Sequence, residues 1–406
     1  MKTAPPPLLV ERTDGVRLFL ADGRELIDGV SSWWTACHGY NHPHIRARVT
    51  AQLERMPHVM LGGLVHAAAL ELAERLTALL PGNLEHVFLS ESGSVAVEVA
   101  MKMALQYRTN RGEHGRARML SFRGGYHGDT FAAMSVCDPE EGMHRLFGPM
   151  LPQQLIVSLP RDDESTREFE RTVAAHAHEL TAVILEPLVQ AAGGMKFHSP
   201  ETVARVAEIA HRHDLLLIFD EIAVGFGRTG TMFACEQAGV VPDIMTLSKA
   251  LTGGTLPLAA TVANRRIYEA FLSNDAGKAF MHGPTYTGHA LACAAANASL
   301  DLFAKQPRLE QVARIAAQLE RELAACRGLT GVRVVRVKGA IGVVELEREP
   351  KLEAIRARFV QHGVWVRPFG RVVYLMPPLV ISAEDLATLT VALRDVVAEA
   401  AAAGEL

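Results

Sequence analysis

The sequence predicts an α/β fold, with a large domain built on a mostly parallel central sheet flanked by helices and a smaller α+β domain formed from both chain termini. Three observations point there. The middle of the chain alternates short β-branched or apolar runs with longer amphipathic stretches. The short runs are bounded by glycine, serine and acidic residues, as strands buried beneath helices on both faces would be. From about Pro307 the pattern changes to helical stretches interleaved with paired strand candidates.

Taken in order, residues 16–20 read as a strand closed by the turn Ala21-Asp22-Gly23. Strands follow at 86–90, 118–122, 182–186, 215–220, 244–248 and 258–263, with helices over 95–107 and 202–213 between them. A long helix at 309–326 then precedes strands at 332–337 and 342–347, a helix at 352–362, and strands around 364–367 and 372–376. A terminal helix starts at Ala383, and the alanines from Ala400 to Ala403 continue it and fray. The expected division is a large domain over 50–306 and a small one from 1–49 and 307–406.

The chain has 406 residues, enough for two or three domains and a large core. Apolar residues make up 49% and charged residues 21%, which excludes a disordered chain, and a net charge of −4 offers no general basic field for nucleic acid or an anionic membrane. The strongest apolar run, 215–219, is far short of a membrane span. The five cysteines at 37, 137, 235, 293 and 326 approach no closer than 33 positions, so there is no Cys-x-x-Cys clip. Such a set suits buried thiols in a reducing compartment. The start, Met-Lys-Thr-Ala-Pro-Pro-Pro, lacks the apolar stretch of a signal peptide, so a cytoplasmic location is expected.

Four places could carry chemistry. Leu217-Ile218-Phe219-Asp220-Glu221 is an apolar strand ending in carboxylates, which puts Asp220 at the sheet edge where open α/β folds bind ligands. On its own it reads equally as a helix cap or a surface ion pair. A second strand ends at Ser248-Lys249, followed by Ala250-Leu251-Thr252-Gly253-Gly254. A lysine among apolar residues and glycines can be desolvated, which lowers its pKa and makes it a nucleophile toward an aldehyde. Third, Ser90-Glu91-Ser92-Gly93-Ser94 turns from strand to helix and offers free N–H groups and hydroxyls to a phosphate, although plain serine capping is as common. Fourth, Tyr126-His127-Gly128-Asp129 follows a Gly-Gly turn and supplies an aromatic ring that could stack on a planar ligand. Together, a phosphate cradle, a stacking ring, a carboxylate and a lysine at strand ends are what pyridoxal 5′-phosphate requires. Lys249 lies 29 positions after Asp220, room for one crossover between adjacent strands.

Further motifs carry a resemblance. Asp220-Glu221-Ile222, Gly225-Phe226-Gly227-Arg228-Thr229-Gly230 and Ser248-Lys249 resemble the class III aminotransferases of PLP fold type I. Ser31-Ser32-Trp33-Trp34, His38-Gly39-Tyr40-Asn41-His42-Pro43, Tyr126-His127-Gly128-Asp129-Thr130, His282-Gly283-Pro284-Thr285 and Arg367-Pro368-Phe369-Gly370 resemble one branch of it, the adenosylmethionine–8-amino-7-oxononanoate aminotransferases of biotin biosynthesis. The likeness runs from about residue 16 to the C-terminus. It implies a catalytic set of Lys249, Asp220 and Tyr126, with Lys249 holding the cofactor covalently and shuttling a proton, Asp220 on the pyridine nitrogen and Tyr126 over the ring. It implies that Gly93 and Ser94 hold the phosphate, and that Pro284 and Thr285 reach it from a partner subunit in an obligatory homodimer. Substrate contacts would fall to Trp33, Tyr126, Lys249, Gly283 and Arg367, with Trp34 packed in the core.

By the same resemblance the reaction passes an amino group from S-adenosylmethionine through pyridoxamine phosphate to 8-amino-7-oxononanoate, giving 7,8-diaminononanoate by ping-pong kinetics. The alternatives are lysine as donor or another ω-amine transamination. Two departures stand out. The family's N-terminal His-Pro-Tyr motif, whose tyrosine helps recognise substrate, has no match, the first aromatic being Phe19, which leaves a truncated start or a replaced contact. No carboxylate follows Gln190, which argues against glutamate as the routine donor. A nucleotide-binding α/β protein remains as a rival reading of Gly93-Ser94, but the chain lacks the glycine fingerprint for it. No metal is expected: His38, His42 and His44, and His211 and His213, have no ligand pattern around them and read as capping or surface residues.

Overall fold

A computed structural model describes residues 6–140 and 144–406. The first five residues of the proline-rich start weighed above for a signal peptide fall outside the described residues.

Three strands open the chain, β1 (Val10–Asp14), β2 (Arg17–Leu20) and β3 (Glu25–Asp28). The central sheet follows with β4 (Leu84–Ser90), β5 (Arg118–Phe122), β6 (Leu155–Val157) and β7 (Leu180–Leu185). A small ribbon, β8 (Val189–Gln190) with β9 (Lys196–Phe197), interrupts it. The sheet is completed by β10 (Leu216–Asp220), β11 (Ile244–Leu247) and β12 (Ala259–Asn264). Its spatial order is β4-β12-β11-β10-β7-β5-β6.

Neighbouring strands from β11 to β6 run parallel, while β12 is antiparallel to both β11 and β4. The sheet is therefore mostly parallel, as expected, with one strand reversed. The cause lies in the connection after β11. It is a single 3₁₀ turn, Lys249–Thr252, closed by Gly253 and Gly254 at φ +60° and +76°, too short for the helical crossover that a parallel return needs.

Both faces of the sheet are dry at its central strands β7, β10, β11 and β12, which is why these read as continuous apolar runs, while the edge strands β4 and β6 stay partly exposed. In β10, Leu217 and Phe219 pack on one face with Val203 and Val206 of the helix Pro200–Arg212. Leu216 and Ile218 pack on the other with Val97, Ala100 and Ala104 of the helix Gly93–Asn110. That helix starts where Ser92 Oγ accepts from Val95 N at 3.3 Å, so the serine cap and the glycine after it set its first turn.

At the far end of the sequence come β13 (Val332–Lys338), β14 (Ile341–Leu346), β15 (Val364–Trp365) and β16 (Val372–Leu375). β13, β14 and β16 form an antiparallel sheet beneath the helix Arg308–Leu323, and the helix Ala383–Ala402 lies against that helix. β15 instead joins β1, β2 and β3, pairing in parallel with β3 so that Trp365 lies opposite Asp28. The two ends of the chain thus share one small sheet. All five cysteines are buried free thiols. Among the described residues no helix is long and apolar enough to cross a membrane.

Candidate active site

The C-terminal ends of β7, β10 and β11 open on one cavity, lined among others by Trp34, Gly93, Ser94, Tyr126, Asp220 and Lys249. A helix N-terminus enters it too. In the first turn of Gly93–Asn110 the Ser92 cap takes Val95 N and Ser92 O takes Ala96 N, which leaves the N–H groups of Gly93 and Ser94, both lining the cavity, for whatever fills the space. Gly93 carries no side chain there because a Cβ would lie 3.1 Å from Ile222, another wall of the cavity. Gly128, at φ +129°, leaves room for Ser94, since a Cβ would fall 2.4 Å from Ser94 Oγ. Ser94 Oγ accepts from Asp129 N at 3.0 Å, which ties the helix start to the segment carrying Tyr126.

Asp220, 4% exposed, sits at the end of β10. One carboxylate oxygen meets His127 Nδ1 at 2.8 Å, and the other accepts from Ile222 N at 3.1 Å and Thr246 Oγ1 at 3.4 Å. Burial is the largest single influence on His127 and lowers it, but the hydrogen bond to Asp220 together with the negative charges of Asp220 and Glu186 outweighs burial and raises the imidazole. Glu186, just past β7, accepts from Tyr126 N at 3.1 Å and Ala191 N at 3.0 Å. Burial pushes its carboxyl up to about 7, with His127 opposing.

Lys249 begins the short turn after β11 and holds φ +46°, a left-handed conformation rare for a side-chain-bearing residue. Burial pushes its amine down to about 8, against the opposing pull of Asp220 and Glu186. Its Nζ lies 4.2 Å from the centroid of the Trp34 ring. Trp34 is buried as expected, yet one face of its indole forms part of the cavity wall, and its Nε1 donates to Tyr374 Oη at 3.3 Å. Trp33 points outward at 61% exposure. Arg367 is half-buried, 5.8 Å from the Trp33 ring centroid, with no carboxylate against it among the described residues. Its guanidinium is therefore available to an anion from outside.

Tyr126 lines the cavity, its hydroxyl donating to Asp129 Oδ1 at 2.9 Å, and burial followed by that bond pushes the phenol up. Gly283, Pro284 and Thr285 do not reach the cavity in this chain. They lie on the surface beside depressions lined by Glu91, Tyr286 and His289 on one side and by Met60 and Val65 on the other. His38 is buried between Ser299 Oγ and Arg308 Nε, each at 3.0 Å. His42 caps a helix by accepting from His44 N, and His44 pairs with Asp301 at 2.7 Å. His211 is at 4.0 Å from Asp243.

Sequence reasoning did not single out His127, Glu186 or Asp129 as members of the site. Glu186 could have been found, since it ends an apolar strand just as Asp220 does. His127 gives no such signal, because its role depends on a contact between segments far apart in the chain.

The three ends of the cavity match pyridoxal 5′-phosphate: a helix N-terminus with a glycine cradle for the phosphate, a buried carboxylate for the ring nitrogen, and a dry amine for the aldehyde. Comparison with known proteins agrees. Residues 1–397 match the family of class III aminotransferases. The chain is 46% identical over 391 residues to the adenosylmethionine-8-amino-7-oxononanoate aminotransferase of Corynebacterium glutamicum, covering 95% of this chain and 92% of that one. It is 47% identical over 397 residues to the protein of the same name from Mycobacterium leprae, covering 96% and 91%. A crystal structure bearing that name from Methanocaldococcus jannaschii superposes with a TM-score of 0.92 at 35% identity, covering 98% of this chain and 94% of that one. An amine transaminase from an uncultivated Pseudomonas species in its PLP-bound form gives 0.91 at 33% identity, covering 97% and 95%. The fold is that of the PLP fold type I transaminases, and the chain belongs to the class III aminotransferase family.

Proposed function

We propose that this enzyme transfers the amino group of S-adenosylmethionine to 8-amino-7-oxononanoate, giving 7,8-diaminononanoate for biotin synthesis. The observation that carries the chemistry is the meeting of Lys249, Asp220 and the Gly93–Ser94 helix start in one buried cavity. The choice of substrates rests on the relatives, several of which share that name at 40–47% identity.

Pyridoxal phosphate, when bound, supplies an electrophilic aldehyde and an electron-withdrawing ring that acidifies the substrate C–H bond. The chain's residues do the rest. Gly93 and Ser94 hold the phosphate with first-turn N–H groups and a hydroxyl. Asp220, buttressed by His127, keeps a proton on the ring nitrogen. Tyr126 covers the ring. Lys249 Nζ would hold the aldehyde, and as a free amine near pKa 8 it can take a proton from the substrate carbon and return it close to neutral pH. Donor and acceptor use one site in turn, so the kinetics are ping-pong. Arg367 forks onto the acceptor's carboxylate, and Trp33 covers its aliphatic chain.

The enzyme acts as a cytoplasmic homodimer in this reading. Gly283, Pro284 and Thr285 complete the phosphate cup and substrate wall of the partner's site, which accounts for their distance from the cavity of their own chain. Exposed Met60, Leu64, Val65, Met281 and Tyr286 surround them, an apolar patch suited to a second copy. The large domain, 50–306, carries the cofactor, and 1–49 with 307–406 forms the small one, joined through the β3–β15 pairing.

The test is to add S-adenosylmethionine alone to the purified holoenzyme and follow the visible band of the cofactor. Bleaching of the band, and its return on adding 8-amino-7-oxononanoate, is expected. No bleaching with S-adenosylmethionine but bleaching with lysine would move the donor assignment.

A further inference from the structure

Ser31, Ser32, Trp33 and Trp34 hold φ of +50°, +47°, +55° and +73°, four left-handed residues in succession without a glycine. L-residues adopt this conformation singly, rarely in runs, so contacts from elsewhere must impose it. The backbone closes the turn with Trp34 N donating to Val30 O at 2.9 Å and Thr35 N to Ser31 O at 2.8 Å. Those bonds alone do not select the left hand.

One side chain touches the turn before, within and after it. Asp28, fully buried at the end of β3, accepts from Val30 N at 2.8 Å through one oxygen. Its other oxygen accepts from Ser32 N at 2.9 Å and from Tyr40 Oη at 2.6 Å. Tyr40 Oη is also 2.5 Å from Ser32 Oγ. Only a carboxylate can accept all three donors, since in either orientation the amide nitrogen of an asparagine would face at least one of them as a donor itself. Burial pushes the Asp28 carboxyl up, so the group is kept dry against its own preference.

We infer that Asp28 and Tyr40 are positioning residues that hold the left-handed Ser31–Trp34 turn and thereby aim Trp34 beneath Lys249 and Trp33 toward Arg367. Neither residue lines the cavity. Their effect passes through the indoles, which sit 4.2 Å from Lys249 Nζ and 5.8 Å from the Arg367 guanidinium respectively. β3 delivers Asp28 directly opposite Trp365 of β15, and Arg367 leaves that strand two residues later, so one strand pair fixes both halves of the substrate wall. The role of that wall rests on the function proposed above; the geometry of the turn does not.

The chain has three tryptophans, at 33, 34 and 365. A Trp365→Phe background leaves only the two in the turn, so acrylamide quenching of its fluorescence reads their exposure without substrate. Asp28→Asn and the milder Tyr40→Phe are made in that background as holoenzymes. The quenching constant is expected to rise about twofold in both, and KM for the keto acceptor about tenfold, the loss of one or two hydrogen bonds. The donor half-reaction, read from the cofactor band, should change far less. Unchanged quenching in both variants overturns the inference, and so does a cooperative loss of the whole fold in Tyr40→Phe, which would make the contact general. Should the parent protein fail to transaminate these substrates, the function proposed above falls while the quenching result still decides the turn.

Discussion

Replacing Lys249 with methionine removes the amine and keeps a side chain of similar length, so its effect on stability can be worked from the burial of that one group. Burial lowers the amine from 10.5 to about 8. At about 1.4 kcal/mol per pH unit, the charged form costs the cofactor-free fold roughly 3 kcal/mol. Below pH 8 both folded and unfolded chains carry the proton and the full cost is present. Between pH 8 and 10.5 the folded chain has shed it while the unfolded chain keeps it, so stability rises with pH. Above that window the cost is gone. Lys249→Met lacks this dependence, so it should be the more stable protein at pH 7, and roughly 2 kcal/mol of the difference should close by pH 9.5.

The Trp34 indole beneath the amine returns about 1 kcal/mol to the charged form, which narrows the difference without abolishing it. The assay is urea unfolding of both proteins, stripped of cofactor with hydroxylamine, at pH 7, 8.5 and 9.5; other titrating groups cancel in the difference. Stability curves that stay parallel, closing by less than about 1 kcal/mol, would refute a dry, depressed amine at this position. The same variant, reloaded with pyridoxal phosphate, should show no turnover.

Asp220→Asn should retain bound cofactor yet lose about 100-fold or more in turnover, because the amide no longer stabilises a proton on the ring nitrogen; near-normal rates would remove Asp220 from its role. Gly128→Ala must fit a Cβ 2.4 Å from Ser94 Oγ at φ +129°, so Ser94 must shift. A loss of roughly 2 kcal/mol and weaker cofactor retention are expected, read by thermal melting and dialysis. Inactive Lys249→Ala protomers, unfolded and refolded with Thr285→Ala protomers, should regain activity, since roughly one site in four in the mixture receives both intact residues. No recovery would place each site within a single chain.

The central strands and their chemistry were legible because a strand dry on both faces leaves a continuous apolar run, and the residue ending that run marks the sheet edge. Asp220 and Lys249 announce themselves in this way, and Gly93-Ser94 does so through the cap that precedes a helix. The direction of β12 was not legible, because apolar runs look alike whichever way they point; only the short turn through Gly253 and Gly254 decides it. The helix Ala290–Lys305 is buried nearly all round, with alanines on every side, so it shows no periodicity. Pairing of β3 with β15 joins opposite ends of the chain and leaves no local trace. The Ser31–Trp34 turn runs against local preference, and its cause, Asp28 and Tyr40, is visible only once the strands are in place.

One physical cause connects the groups that carry the chemistry. Drying a site raises an acid and lowers an amine, since both shifts disfavour charge. In this cavity the same burial moves Glu186 up to about 7 and Lys249 down to about 8, from opposite ends of the scale. Two groups whose protonation is nearly balanced at neutral pH can exchange protons with a substrate at little cost in driving force. Asp220 shares the cavity but has the His127 imidazole at 2.8 Å, whereas the hydrogen bonds to Glu186 come from the backbone N–H groups of Tyr126 and Ala191. The two carboxyl groups are thereby held differently, Asp220 against a side-chain partner beside the ring site and Glu186 by backbone donors alone, where burial moves it toward neutrality. It follows that substituting His127 should disturb both, releasing Asp220 from its partner and pushing Glu186 further from its charged form, because the His127 charge is the largest influence opposing burial there, ahead of the Tyr126 and Ala191 N–H groups. A His127→Phe enzyme should therefore show its acidic activity limb moved to higher pH as well as a lower rate. A lower rate with an unmoved limb would separate the two carboxyl groups and break this link.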